Sequence, residues 1–156
     1  MRTTLILVGK TVDKNFISSI EDYVSRIGHY IPFSLVTIPE LKNTKKLTEE
    51  QQKVQEGMFI LKQLQSSDTV VLLDEHGTEL RSIDFASWLE KKQQITRHLV
   101  FVVGGPYGFS EAVYARANEK LSLSKMTFSH QMIRLIFVEQ VYRACTIIKG
   151  EPYHHE

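Results

Sequence analysis

Three apolar segments of the sequence end in residues that could bind a ligand. "LLDEHG" (72–77) ends in two carboxylates, "VVGGPYG" (102–108) ends in a glycine-rich turn, and "LSLSKMTF" (121–128) ends in polar and sulfur-containing side chains. In open α/β sheets, ligands bind beyond the carboxyl ends of the strands. The sequence therefore predicts a ligand site at which these three segments meet.

The turn Gly104-Gly105-Pro106-Tyr107-Gly108 is the most distinctive of the three. Glycines lack Cβ, so they permit positive φ and let a ligand approach the backbone closely. Ser110 can begin a helix whose free N–H groups face the same region. The spacing fits neither GxxxxGK[ST] nor GxGxxG, which disfavours a phosphate cradle. Two interpretations remain, a cofactor bound largely by backbone groups and a tight strand–helix turn.

The other candidate residues have ordinary explanations as well. Asp74 and Glu75 could bind a ribose hydroxyl or an amino group, or they could be solvated turn residues. Lys125 on an outward strand position usually serves solubility. Cys145 has apolar neighbours, which indicates an inert core thiol. The six histidines form neither HExxH nor a paired metal spacing, so we expect no metal site.

The segment "GEPYHHE" (150–156) follows a long apolar helix pattern. Gly150 is placed as the C′ residue of that helix. Within the helix, Glu139 and Arg143 are four residues apart in the order that favours an ion pair, so a helix-surface pair is the simplest interpretation of Arg143. The helix is apolar around most of its circumference, which indicates a subunit interface or a central core position.

Strands alternate with helices along the whole chain. We predict strands at 5–8, 33–39, 69–74, 98–103 and 121–128, separated and followed by helices at 13–28, 48–65, 82–94, 110–118 and 130–149. Thr48 with Gln51 has the capping-box spacing, and Ser82 and Ser110 are further candidate N-caps. Because several strands are apolar throughout, the pattern predicts an α/β fold, a mostly parallel sheet with helices on both faces. The strand order stays open.

The bulk properties fit one globular domain spanning 1–156. The chain has 156 residues, 42% of them hydrophobic and 24% charged. A formal net charge of +1 gives no global attraction for nucleic acid, so RNA contacts would need local patches or an oligomer. No apolar run is long enough for a signal peptide core or a membrane span. We therefore expect a cytoplasmic protein that does not enter a membrane.

Several motifs together resemble one family. "FVVGGPYG", "LSLSKMTFSHQMIRLIFVEQVYRA" and "IIKGEPYHH", with "LILVGKTVDKNF", "LLDEHG" and "DFASWL", occur in the order and spacing of the 23S rRNA (pseudouridine-N3)-methyltransferase family of the SPOUT class. The resemblance covers essentially the whole chain. It implies a sheet whose C-terminal part is threaded into a trefoil knot, an exception to unknotted topology. It also implies a homodimer, which gives the apolar last helix a partner.

The resemblance further implies a methyl-transfer site. S-adenosylmethionine would lie in the knot loops, at the three strand ends already selected. The substrate would be N3 of a pseudouridine in the helix 69 loop of 23S rRNA, methylated in assembled ribosomes. Catalysis would involve Arg143, Tyr153, which could stack on a base, and His154, which could accept a proton or contact phosphate. The implied cofactor-binding residues are Leu73, Gly104, Leu123, Ser124, Lys125, Met126, Thr127 and Phe128.

One departure from the family pattern concerns the tail. The position after the Tyr-His pair often carries Lys or Arg in the family, whereas here it is His155, followed by Glu156. This weakens a fixed-charge contact with rRNA, and it leaves a catalytically silent ribosome- or RNA-binding module as an alternative. Basic residues elsewhere could contact phosphates instead, or could simply be solvated. They are Lys42, Lys45, Lys46, Lys91, Lys92 and Arg97.

Overall fold

A five-stranded parallel sheet organises the chain in a computed structural model that describes residues 1–156. The strands are β1 (Arg2–Val8), β2 (Phe33–Ile38), β3 (Thr69–Glu79), β4 (His98–Val103) and β5 (Glu119–Ser122), in the order β2-β1-β4-β3-β5. The helices are α1 (Lys14–Ile27), α2 (Glu49–Lys62), α3 (Ser82–Ile95), α4 (Glu111–Arg116) and α5 (Met132–Ile148), with a short 3₁₀ turn at Thr44–Lys46. The predicted α/β class is therefore confirmed.

Both faces of the sheet are covered by helices, which explains its continuously apolar strands. Successive residues of β1 alternate between two buried clusters: Leu5 and Leu7 belong to the cluster under α1, α3 and α5, while Ile6 and Val8 belong to the one under α2 and α4. Because the side chains on both faces of β1 are shielded from water, polar and apolar residues do not alternate along the strand. Every side chain from Thr3 to Val8 is buried.

Helix α5 packs between α1 and α3. Its inner face is fully buried at Phe137, whose ring meets that of Phe101 edge-on with centroids 4.7 Å apart. Cys145 is buried on the same helix, and burial raises the pKa of its thiol to about 12, which confirms an inert core thiol. The outer face is only half-buried at Ile133 and Ile136, so the chain does not cover the helix completely.

Two predicted boundaries are wrong at the sheet edge that carries the site. The strand predicted at 121–128 ends at Ser122, and 123–131 leave the sheet. The predicted turn at 75–77 lies inside β3, because Leu73 and Thr78 both pair with Leu121 while the residues between them bulge outward. Gly77 permits this close approach, since a Cβ there would lie 2.7 Å from the backbone N of Leu121.

The predicted helix caps have mixed outcomes. Thr48 and Gln51 form the reciprocal capping box at the start of α2, and the Ser110 hydroxyl accepts a hydrogen bond from the Val113 N–H, so both predictions are confirmed. Ser82 is not a cap. Its hydroxyl instead donates to Gln140 Oε1 at 2.9 Å, which ties α3 to α5.

Membrane insertion has no candidate segment among the helices. None of them combines the length and the apolar character that crossing a bilayer requires.

Candidate active site

A cavity of about 630 Å³ lies beyond the carboxyl ends of β4 and β5 and against the bulged residues of β3. Its size is within the range of small-molecule sites. The three segments singled out in the sequence form most of its wall, and the start of α5 closes it at Ile133. Seven of the eight residues expected to bind the cofactor line it, namely Leu73, Gly104, Leu123, Ser124, Met126, Thr127 and Phe128. Lys125 is exposed and does not line it.

Local hydrogen bonds shape the loop that follows β5. The Ser122 hydroxyl donates to the Ser124 carbonyl at 2.9 Å, and the Ser124 hydroxyl accepts from the Met126 N–H at 2.9 Å. These serine bonds replace the sheet ladder that the sequence pattern had suggested. Met126 is 77% exposed, so the loop presents a large apolar side chain at the cavity mouth.

The glycines of the turn after β4 are required by close packing within the chain. A Cβ on Gly104 would lie 3.0 Å from the ring of Phe109, and a Cβ on Gly105 would lie 2.7 Å from Glu56 Oε1. Gly108 has φ +83°, a conformation that favours glycine. The tight strand–helix turn is therefore confirmed. The turn also lines the cavity, and cofactor binding by its backbone stays a prediction.

Glu56 lies against the glycine turn without lining the cavity, and sequence reasoning missed it. The α2 side chain is only 6% exposed, Oε2 accepts a hydrogen bond from Gln52 at 3.3 Å, and Oε1 has no partner. Burial raises the pKa of this carboxyl. The only signal in the sequence is its neighbour Gly57, where a Cβ would lie 2.5 Å from Ser110 Oγ, so that α2 comes close to the glycine turn.

The two carboxylates in the bulge of β3 differ in the hydrogen bonds that they accept. Asp74 accepts hydrogen bonds from the Tyr114 hydroxyl and, at 2.8 Å, from the His76 N–H, so it mainly holds the loop. Burial and this bond raise the pKa of Tyr114. Glu75 has only long contacts, 3.4 Å to the Thr127 hydroxyl and 3.5 Å to His76 Nε2. It is therefore the freer carboxylate in the cavity wall.

A second group of functional candidates lies at the other end of α5. Arg143 Nη2 donates to Glu139 Oε1 at 2.5 Å, and Arg143 Nη1 donates to His154 Nδ1 at 3.1 Å. The Tyr153 hydroxyl donates to the same Glu139 oxygen at 3.0 Å, and its ring lies 4.8 Å from the guanidinium carbon. We call these four residues the tail cluster. The structure thus brings the three predicted catalytic residues together.

The tail cluster leaves two buried donors without partners, Arg143 Nε and His154 Nε2. Arginine has no acceptor, so His154 Nδ1 must accept the hydrogen bond from it. The neutral ring therefore carries its proton on Nε2. Both N–H groups are buried, and each retains the capacity to donate one hydrogen bond.

The chain after α5 is docked rather than extended. Gly150 has φ +70°, as predicted for a C′ residue, and the Glu151 N–H donates to the Thr146 carbonyl at 2.9 Å. Glu151 also accepts from the Tyr30 hydroxyl at 2.6 Å. Glu156 pairs with Arg81 at 2.6 Å, whereas His155 is exposed. Neither of these last two residues enters the tail cluster.

The cavity and the tail cluster are separate within the chain. Helix α5 contacts the cavity at Ile133, near its start. A rise of about 1.5 Å per residue places the Cα of Arg143 about 15 Å further along the helix. None of the tail cluster residues lines the cavity.

An open parallel α/β sheet, with a cavity built from the bulge in β3 and the loops after β4 and β5, defines the class of protein. The chain belongs to the SPOUT methyltransferase family, since residues 1–154 match the family described as "Predicted SPOUT methyltransferase". Membership implies that the C-terminal part of the chain is knotted.

Full-length relatives are close in sequence. Ribosomal RNA large subunit methyltransferase H is 63% identical in Bacteroides fragilis strain YCH46, 60% in Bacteroides thetaiotaomicron and 53% in Porphyromonas gingivalis. Each alignment spans 157 residues and covers 100% of both chains.

Proposed function

We propose that this protein transfers the methyl group of S-adenosylmethionine to N3 of a pseudouridine in the helix 69 loop of 23S rRNA in assembled ribosomes. The relatives named for large-subunit rRNA support the class of substrate. The structural observation that carries the proposal is the pair of unpaired donors, Arg143 Nε and His154 Nε2. The chain 1–156 acts as one domain, in the cytoplasm, where ribosomes are found.

The cavity has the features that S-adenosylmethionine needs. Leu73, Leu123 and Phe128 offer apolar surface for the adenine ring, and the freer Glu75 carboxylate suits a cationic group. The turn beginning at Gly104 offers bare backbone. When bound, the cofactor supplies an electrophilic methyl group. In the described residues, no group of three or more His, Cys, Asp or Glu side chains is arranged to hold a metal ion.

The tail cluster suits the substrate side of the reaction. N3 of pseudouridine must lose its imide proton to solvent water, so negative charge develops on the ring. N3 would then take the methyl group as its bond to sulfur breaks and S-adenosylhomocysteine leaves. The N–H groups of Arg143 and His154 would donate to that anion, and preorganised donors of this kind stabilise developing charge strongly. Because His154 Nε2 carries a proton, this residue acts as a donor and not as the general base.

Neither of the remaining cluster members is a free base. Burial, together with hydrogen bonds involving Tyr23 and Glu139, raises the pKa of Tyr153, so its hydroxyl stays protonated at neutral pH. Glu139 accepts from Arg143 and Tyr153 at Oε1 and from Gln140 at Oε2. The cluster therefore contributes orientation and charge stabilisation.

A homodimer would resolve the separation between cavity and tail cluster. The half-buried outer face of α5, including Ile133 and Ile136, offers apolar surface to a second copy. Such pairing would place the tail cluster of one subunit beside the cavity of the other. The protein would then methylate its substrate only as a dimer.

The direct test is methylation of ribosomes that lack the modification. Purified protein, labelled S-adenosylmethionine and such ribosomes should yield N3-methylpseudouridine in helix 69, identified by nucleoside mass spectrometry. Ribosome binding without methyl transfer, and without heat of cofactor binding in calorimetry, would instead establish the silent binding module. In favour of the enzyme over that alternative, the altered residues His155 and Glu156 lie outside the tail cluster, and Glu156 pairs with Arg81.

A further inference from the structure

The basic residues considered for rRNA contact divide between the two edges of the sheet. Lys42, Lys45 and Lys46 follow β2, whose carboxyl end is Ile38, so they lie on the edge that carries the cavity. Arg97 immediately precedes β4, which places it on the amino edge. The fold thus separates the three lysines from Arg97, a distinction that the sequence does not show.

The three lysines near the cavity edge are exposed and form no ion pair. Other lysines are engaged: Lys53 pairs with Glu50 at 2.9 Å, and Lys92 pairs with Glu119. The Glu50 carboxylate near the loop is therefore already partnered. The charges of Lys42, Lys45 and Lys46 remain available to an external anion.

The backbone presents these lysines from a defined turn. Asn43 has φ 59° and ψ 43°, a left-handed conformation that asparagine adopts more readily than most residues. The turn Thr44–Lys46 follows, closed by a hydrogen bond from the Leu47 N–H to the Thr44 carbonyl at 3.0 Å. The capping box at Thr48 then fixes the start of α2. We call residues 42–46 the lysine turn.

We propose that the lysine turn contacts rRNA phosphates and orients the ribosome at the cavity edge. The proposal rests on the proposed function and adds the surface that holds its substrate. Phosphate contacts carry no sequence information but fix register and orientation. They would provide attraction for RNA in a chain whose formal net charge is only +1.

The test compares two triple variants with the same change in charge. One replaces Lys42, Lys45 and Lys46 with Gln. The control replaces Arg2, Lys91 and Arg97, exposed residues toward the amino edge, with Gln. Binding to ribosomes lacking the modification is measured at several salt concentrations, and methylation is measured at saturating ribosome. Circular dichroism and cofactor calorimetry check that both variants fold.

The lysine-turn variant should bind roughly tenfold more weakly or worse at moderate salt. Its slope of log K against log salt should be smaller by about 2, since each phosphate contact contributes roughly 0.7–0.9. The control should match the wild type in affinity, salt slope and methylation rate. Equal slopes for both variants, with active wild-type protein, would overturn the lysine turn alone. A folded wild type that neither binds nor methylates ribosomes would overturn the proposed function as well.

Discussion

Two polar clusters are built around a histidine, and they differ in how completely its ring is satisfied. The first cluster, which we call the amino-edge network, consists of Thr4, Gln65, Asp68 and His98. In it, His98 Nδ1 lies 2.8 Å from Asp68 Oδ1, and His98 Nε2 lies 2.8 Å from Thr4 Oγ1. Asp68 also accepts from the Gln65 N–H at 2.8 Å. In the tail cluster, His154 has a partner at Nδ1 and none at Nε2.

This difference separates polar groups that hold the fold from those that face a ligand. Buried polar atoms normally have partners, because leaving one unpaired costs free energy. Four side-chain atoms are exceptions, and three of them lie in the tail cluster or against the glycine turn: Arg143 Nε, His154 Nε2 and Glu56 Oε1. The fourth is the Thr3 hydroxyl. Incomplete satisfaction therefore concentrates at the candidate sites, whereas the amino-edge network is complete.

The largest effect is expected from the tail cluster. Replacing Arg143 with Ala should lower the single-turnover methylation rate by about 10²- to 10³-fold, because donors that stabilise developing charge are removed. Thermodynamic stability, measured by urea unfolding, should fall by only about 1 kcal/mol or less, as for other partly exposed ion pairs. Cofactor affinity should stay the same.

Arg143→Lys is the matched variant for this prediction. It keeps the positive charge but loses the guanidinium N–H groups and their fixed geometry. We expect it to recover little of the lost rate. A folded Arg143→Ala protein that methylates within tenfold of the wild type would show that the unpaired donors are not part of the reaction.

The contrast between the clusters also shows what the sequence could predict. The order of strands and helices followed from apolar periodicity, since a two-sided sheet needs apolar strands. The same signal failed at 123–128, where alternation continues although the residues line a cavity and bond locally. A loop that faces ligand on one side and solvent on the other alternates like a strand.

The site was predictable in part. The three strand ends were identified because parallel strands place their carboxyl ends together. Glu56 was not, since nothing in its local sequence shows that α2 turns that carboxylate toward Gly105. The tautomer of His154 was not predictable either, because it depends on the hydrogen bond between Arg143 Nη1 and His154 Nδ1, whose residues are 11 positions apart. Such pairings arise from tertiary packing, which periodicity does not encode.

A moderate effect on stability, with none on catalysis, is expected at the amino-edge network. Replacing Asp68 with Ala leaves His98 Nδ1 without its acceptor and should lower the free energy of unfolding by about 1–3 kcal/mol. Urea denaturation measures this loss. The methylation rate per folded molecule should equal that of the wild type. A drop of more than tenfold in that rate would mean that the network reaches the site and that the two clusters do not divide as described.

Glu56 combines features of both clusters and gives the smallest, pH-dependent effect. Burial raises the pKa of its carboxyl above the ordinary value of 4.5. The folded protein then binds this proton more tightly than the unfolded chain, so the stabilisation is complete below pH 4.5 and is lost as the pH rises through the raised pKa. Replacing Glu56 with Gln removes the titration and keeps the shape.

The stability advantage of Glu56→Gln over the wild type should therefore grow as the pH rises above 4.5 and level off once Glu56 is ionised in the folded state. Urea unfolding at a series of pH values measures the difference between the two proteins, which cancels the other titrating groups. Glu50→Gln, on an exposed residue of the same helix that pairs with Lys53, is the control for the loss of one carboxylate from α2. Parallel stability curves for Glu56→Gln and the wild type would mean that the unpaired Oε1 is hydrated in solution. The Glu56 carboxylate beside Gly105 would then carry no dehydrated charge. Glu56 would belong with the polar groups of the fold whose hydrogen bonds are complete.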